Sequence, residues 1–373
     1  MLDAVEWGEF ALGDLFEIKT PKKRFDANKV VIFETGKYPY VVRTALNNGI
    51  RGYIEEDTQF LNDGNTISFG QDTATAFYQD KPYFTGDKIK IFKSKGIELT
   101  KRNAQFILPM MVKAFSIFAW GSSSFKVSIL ESVKVQLPIK NGQINLDFME
   151  KFVAELEARR SAELEAYLSA AGLKDYALSA DEEQALARLE NGQVAFAPFK
   201  VIDLFNVKNT ANILAGDISD GSGSTPYLSA GRGNNAVSAY ISYDEKFLEK
   251  GDCIFIGGKT FILTYQPKDF FSNDSHNLCL YFKEKAKLDR LQYFALIACL
   301  EKSLGYKYSW GDSISKTKIQ SDTVFLPVTA ANDVPDYAYM QTLLSAVQKR
   351  VIKSVVQYAD QKTAATAAVR QQR

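Results

Sequence analysis

Lys19, Lys22, Lys23 and Arg24 crowd into one short stretch, KTPKKR, near the N-terminus. Ammonium and guanidinium groups at that density suit a polyanion, because they neutralise phosphates and release their counterions. Arg43, Asn47 and Asn48 offer a different chemistry. Arginine pairs with guanine and asparagine with adenine across a major groove, although Asn47-Asn48-Gly49 is also a strong turn signal. Ser122, Ser123 and Ser124, followed by Lys126, give hydroxyls and an ammonium suited to phosphate. The same side-chain types return later: Lys208 and Asn209, then Arg232, Asn234 and Asn235, then Tyr306, Lys307, Tyr308, Lys316 and Lys318 around Trp310. The plainer reading of each basic cluster is a solvated face.

Catalytic chemistry has less to work with. Gly257-Gly258-Lys259-Thr260 ends like a phosphate-binding loop, but the glycine needed five positions before Gly258 is Cys253, inside an apolar run. The single histidine, His276, excludes a HExxH zinc site and any pair of imidazoles. GxSxG, a glycine-rich dinucleotide turn and an Asn-Pro-Pro-aromatic motif are all missing. Cys253, Cys279 and Cys299 sit in apolar contexts and read as buried thiols of a reducing cytosol. No apolar run approaches the ~18 residues of a membrane span, and the N-terminus has no apolar signal region. A cytoplasmic chain with no metal and no cofactor of its own is expected.

The elements that must position these residues come in two copies. LGDLFEIK at 12–19 returns as VIDLFNVK at 201–208, with Leu15 and Leu204 set 189 positions apart (204 − 15). Pro39-Tyr40 answers to Pro226-Tyr227, Asn47-Asn48 to Asn234-Asn235, Trp120-Gly121 to Trp310-Gly311 and Leu137-Pro138 to Leu326-Pro327. Arg43 and Arg232, also 189 apart (232 − 43), make a further pair. A repeat this long signals a duplicated domain, not a solenoid.

In the first copy, strands are predicted over 16–18, 30–33, 38–42, 66–69, 76–78, 88–92 and 133–138, with a buried helix over 103–118 bent at Pro109. The second copy has strands over 226–228 and 254–256 and a helix over 291–300. Each copy is followed by a longer helix. One, over 145–170, carries Met149, Val153, Leu156, Arg160, Leu164 and Tyr167 at helical spacing; the other, over 336–358, carries Met340, Leu344, Val347, Val351, Val355 and Tyr358. A short helix over 180–189 follows the first, capped by Ser179. Segment 145–194 holds five basic and eleven acidic side chains, and 334–373 holds six and two. Opposite charge suits the two helical segments for packing together. A helix over 336–358 spans roughly 35 Å, about one turn of duplex DNA.

The fold class is therefore α+β. Two duplicated mixed domains, 1–144 and 195–333, are separated by two long antiparallel helices: a central spacer, 145–194, paired with a distal helix, 334–373. This order resembles the specificity (S) subunit of type I restriction–modification systems, and equally the recognition subunit of type IIB restriction enzymes. The likeness rests on the two openings, the polar loop and strand of WGSSSFKVSILESVKVQLPI, and the two Leu-Pro exits. The second copy departs with WGDSISKTK, and the family's Pro-Pro-Leu exit followed by Glu-Gln is missing from both.

The resemblance implies a non-catalytic reader of double-stranded DNA. Its two target recognition domains would each take half of a gapped, asymmetric site, and its helices would serve as a ruler. It also implies methyltransferase subunits as partners, two per chain, which bring S-adenosylmethionine; a restriction subunit is left open. The competing readings are a protein-interaction adaptor that works through its paired helices, and a nucleotide-binding enzyme built on GGKT.

Overall fold

The computed structural model describes residues 2–116, 125–284, 287–329 and 333–371. The chain divides into two compact units, residues 1–164 with 362–373, and residues 165–361.

Unit 1 opens with β1 (Glu6–Ala11), the single turn α1 (Leu12–Leu15) and β2 (Phe16–Lys19), so the repeated phrase is a turn feeding a strand. Leu12, Leu15, Phe16 and Ile18 are buried while Glu17 and Lys19 face out. That period of two fixes which face of β2 meets the core. Then come β3 (Pro39–Val41), β4 (Ile50–Tyr53), β5 (Thr66–Gly70), β6 (Thr75–Gln79), β7 (Phe84–Thr85) and β8 (Ile89–Ser94). α2 (Lys101–Phe115), α3 (Val127–Ser132), β9 (Lys134–Lys140), β10 (Gln143–Ile144) and α4 (Leu146–Ala170) complete the set.

A four-stranded antiparallel sheet runs β2-β8-β5-β6, and a second sheet runs β4-β3-β7 with β3 and β7 parallel. β1 lies along β9, the strand carrying Leu137-Pro138. Phe69 and Phe92 on the larger sheet meet Phe115 of α2 at 4.6 and 6.3 Å between ring centroids. α2 starts in a capping box between Thr100 and Asn103 and runs through Pro109. The first turns of α4 dock on it. Met149 and Val153 join the core, and Phe106 meets Phe148 and Phe152 at 6.2 and 5.6 Å.

Unit 2 repeats the plan. After α5 (Ala180–Glu190) come β11 (Phe196–Lys200), α6 (Val201–Leu204), β12 (Phe205–Asn209), β13 (Thr225–Leu228) and β14 (Val237–Ile241). β15 (Cys253–Ile256), β16 (Leu263–Gln266), β17 (Phe271–Ser272), β18 (Leu278–Phe282), α7 (Arg290–Leu304), β19 (Thr323–Pro327) and α8 (Tyr337–Gln371) follow. The sheets run β12-β18-β15-β16, β14-β13-β17 and β11-β19; the first two repeat the orders of unit 1, and the third lacks the counterpart of β10 in β1-β9-β10.

The copies agree down to single hydrogen bonds. Tyr40 donates its hydroxyl to Phe25 O at 2.7 Å, and Tyr227 donates to Ile213 O at 2.7 Å. Gln79 donates to Asn48 O and Gln266 to Asn235 O, each at 3.0 Å. Burial pushes both tyrosine hydroxyls above their ordinary range. The duplication therefore holds as structure, not only as sequence.

Several expectations change. Residues 30–33 form no strand; Phe33 makes one reciprocal bridge with Tyr53, and Val31 stays 71% exposed. β1 and β11 escaped the sequence reading. The row Val347, Val351, Val355, Tyr358 is not the buried face of α8, since Val351 is 71% and Tyr358 54% exposed. Ala346, Val356 and Ala359 are buried instead. Apolar residues lie on more than one side of α8, and spacing alone weighs a buried alanine too lightly.

Within unit 2 the acidic α5 does pack on the basic stretch of α8. Glu182 accepts from Ser345 at 2.5 Å and from Lys349 at 3.0 Å, Arg350 pairs with Glu190 at 2.9 Å, and Tyr339 donates to Ala185 O at 3.0 Å. Burial raises the Glu182 carboxyl, but Ser345, the Ser179 amide and Lys349 outweigh it and hold the group at about 2, against an ordinary 4.5. A depressed folded-state value means the contribution is whole above about 4.5 and is lost as pH falls towards about 2. Glu182→Gln should cost about 1–2 kcal/mol at neutral pH. In chemical denaturation the gap from the parent should narrow across that acid window, and a gap independent of pH would refute the assignment.

Candidate nucleic-acid interface

In unit 1 the predicted cations do not form one cluster. Lys19 pairs with Glu17 at 2.8 Å at the end of β2. Lys22 is exposed and is tied by its amide to Asn62 at 3.4 Å. The Lys23 ammonium sits over Phe25 and Phe60, 4.7 and 4.5 Å from the ring centres. Arg24 turns to Asp87 at 2.8 Å, and Arg43 to Asp72, which Lys88 also reaches at 3.0 Å.

Arg24 and Arg43 line a cleft of about 770 Å³, and Arg51 of β4 joins them. Sequence reasoning missed Arg51. In IRGY it stands alone, and only its outward alternation in a short strand marks it. The carboxylates of Asp26 and Asp87 line the same cleft, over a floor that includes Tyr40 and Val42. Nearby, burial and then the charge of Arg24 lower the Lys90 ammonium below its ordinary range.

Asn47 and Asn48 belong to the turn. Both have positive φ, a region asparagine tolerates. Their amides donate to Ile50 O at 3.1 Å and Tyr78 O at 2.9 Å. Asn234 and Asn235 do the same in unit 2, donating to Val237 O and Tyr265 O at 3.0 Å each. Lys126 stands exposed just before α3. Ser122, Ser123 and Ser124, with Trp120-Gly121, lie outside the described residues.

In unit 2, Lys208 pairs with Glu249 at 3.2 Å, and the same carboxylate accepts the Ala211 amide at 2.7 Å. Asn209 donates to Ser275 O at 2.7 Å. Arg232 is exposed, but it is not the counterpart of Arg43. Val42 N reaches Gly49 O at 2.8 Å as Ser229 N reaches Ala236 O at 2.9 Å. That shared turn leaves no room for a two-residue slip, so Ala230 takes the place of Arg43. Tyr306 and Trp310 are 87% and 75% exposed. Lys307 and Tyr308 both bond Asp322, and Tyr308 is buried. Its ring is thus part of the core, not of an outer surface. Lys316 is exposed, and Lys318 bonds Asp312 and the Ser313 carbonyl.

Gly257-Gly258-Lys259-Thr260 is the hairpin between β15 and β16, with no helix after it. Gly258 N donates to Asn277 at 3.0 Å, Thr260 to Ala230 O at 2.8 Å, and Lys259 pairs with Asp274 at 3.2 Å. These groups are tied into the hairpin, not arranged as an amide cradle. Among the described residues no group of three or more His, Cys, Asp or Glu is placed to hold a metal ion. No helix among them is long and apolar enough to cross a membrane.

The model of one protein family, described as the type I restriction modification DNA specificity domain, matches twice, over residues 4–166 and 193–357. The type II restriction enzyme BgcI specificity subunit S.BcgI of Heyndrickxia coagulans is 24% identical over 357 residues, covering 94% of this chain and 97% of the relative. The crystal structure of the type I restriction-modification system S subunit from M. genitalium superposes with a TM-score of 0.61 at 14% identity, covering 99% of this chain and 95% of that one. At that identity the superposition speaks to the fold.

Proposed function

The chain belongs to the type I restriction modification DNA specificity family and is a specificity subunit of a restriction–modification system; on that premise we propose that its two units read the two halves of a gapped, asymmetric duplex site. One observation carries the reading. The two units share sheet order in their two larger sheets, turns and hydrogen bonds, yet differ in side chains around them, with Arg24, Arg43 and Arg51 in one and Asn212, Ala230 and Ser238 in the other. A constant scaffold with divergent outward groups suits two sites that are docked alike and read differently.

In this reading the chain performs no chemistry itself. Methyltransferase subunits, two per chain, bring S-adenosylmethionine and modify the site, in the cytoplasm where the chromosome is accessible. A restriction subunit joins where cleavage occurs. α4 and α8 set the distance between the halves. Support comes from their lengths, 25 and 35 residues, and from the docking of their first turns on their own unit's core through Met149 and Met340.

Methylation mapping of DNA from cells carrying this chain and its methyltransferase tests the proposal. A two-part motif with unlike halves is expected. Modification that does not depend on this chain, or no DNA retention with the partner supplied at low salt, would leave the adaptor reading. Binding strength should come from phosphates. Replacing Lys22 and Lys23 by alanine should weaken binding to all sequences alike and lower the salt slope by up to ~0.9 per lost contact. An unmoved slope makes that loop solvated surface.

A further inference from the structure

The cleft in unit 1 is electrically mixed. Arg24, Arg43 and Arg51 line it together with Asp26 and Asp87. A phosphodiester is poorly served there, because two carboxylates repel the anion that the arginines attract. A G·C pair suits it better: guanine offers O6 and N7 as acceptors in the major groove, and cytosine offers its N4 amino group as a donor. Arginine matches the first and a carboxylate the second.

Among the three arginines, two are already engaged. Arg24 is on Asp87 at 2.8 Å and Arg43 is on Asp72. Arg51 is exposed and has no hydrogen bond or ion pair among the described residues. Its five N–H donors are open.

The second unit supplies an internal comparison. The paired bonds of Tyr40 with Phe25 and of Tyr227 with Ile213 fix which unit 2 positions correspond to the cleft residues. The positions of Arg24, Arg43 and Arg51 are then held by Asn212, Ala230 and Ser238. Side chains that read bases are free to differ. The cleft arginines differ at every position while the turns beneath them do not.

We propose that Arg51 is a base-reading residue of unit 1, that it donates to guanine of a G·C pair, and that the half-site read by unit 2 carries no such requirement at the equivalent place. The proposal rests on the two-half reading above.

The test uses the full chain in complex with its methyltransferase, as Arg51→Ala and Arg51→Lys, read by methylation mapping and by binding at several salt concentrations. With Arg51→Ala, one G·C position in one half-site should become tolerant, losing roughly tenfold or more of its preference. The other half-site, the gap and the salt slope should stay as they were. Arg51→Lys keeps the charge but loses the paired donors, so it should relax the same position. An unchanged motif overturns the proposal, whether binding is unaltered or is weakened on all sequences with the slope reduced by about 0.9, the mark of a phosphate contact. Failure of the parent complex to show any two-part motif would instead count against the preceding functional reading.

Discussion

Asp322→Ala is expected to destabilise unit 2 by about 3 kcal/mol, with no comparable loss in unit 1. Asp322 is 3% exposed, and its oxygens take the Lys307 ammonium and the Tyr308 hydroxyl. The bond to Asp322 raises the Lys307 ammonium above its ordinary range, while burial does most to raise the Tyr308 hydroxyl. Alanine would strand that hydroxyl in a buried site, where a donor without an acceptor costs most. Lys307 keeps access to water, so the larger share falls on Tyr308. Unit 1 handles the same point differently. Leu12 N donates to Val133 O at 2.8 Å as Val201 N donates to Asp322 O at 3.0 Å, so an apolar side chain suffices there. Adding Tyr308→Phe to Asp322→Ala should therefore recover part of the loss in chemical denaturation. Purely additive losses would deny the coupling.

Lengthening the two long helices together is expected to widen the gap and leave both half-sites as they were. Seven residues added after Ser161 in α4, with a matching seven after Val351 in α8, lengthen each by about 10.5 Å at 1.5 Å per residue. That is roughly three base pairs of duplex at 3.4 Å each. Seven residues make nearly two whole turns, so each helix keeps its face. Methylation mapping reads the result directly. An unaltered gap would remove the ruler, and loss of one half-site with the other kept would mean that the helices hold a domain together rather than measure distance.

The duplication was legible because ordered anchors at nearly constant separation leave little room for chance. Strands β5, β6 and β8 were legible because their runs are both apolar and bounded by turn residues. Subtler features were not. Asn47-Asn48 offers the same amides to a base edge or to its own turn, and only the donated bonds to Ile50 and Tyr78 decide between them. Tyr306, Lys307 and Tyr308 look alike as a cationic, aromatic loop. The aspartate that pairs with Lys307 and holds Tyr308 in the core lies more than a dozen residues on, at Asp322. The offset of 189 that holds elsewhere pairs Arg232 with Arg43 (232 − 43). The turn at Ala230 shows that a local offset governs there. Arg51 carried no signal beyond strand alternation, since a cleft is assembled from β3, β4 and four loop segments that sequence does not bring together.

The sharpest measurement is the methylation motif made by a chain in which residues 195–333 are replaced by a second copy of 1–144. If each unit reads its own half-site on a shared scaffold, the motif becomes symmetric, with the first half-site repeated in inverted form across the gap. Retention of the original unlike halves, or a single uninterrupted site, would contradict that account.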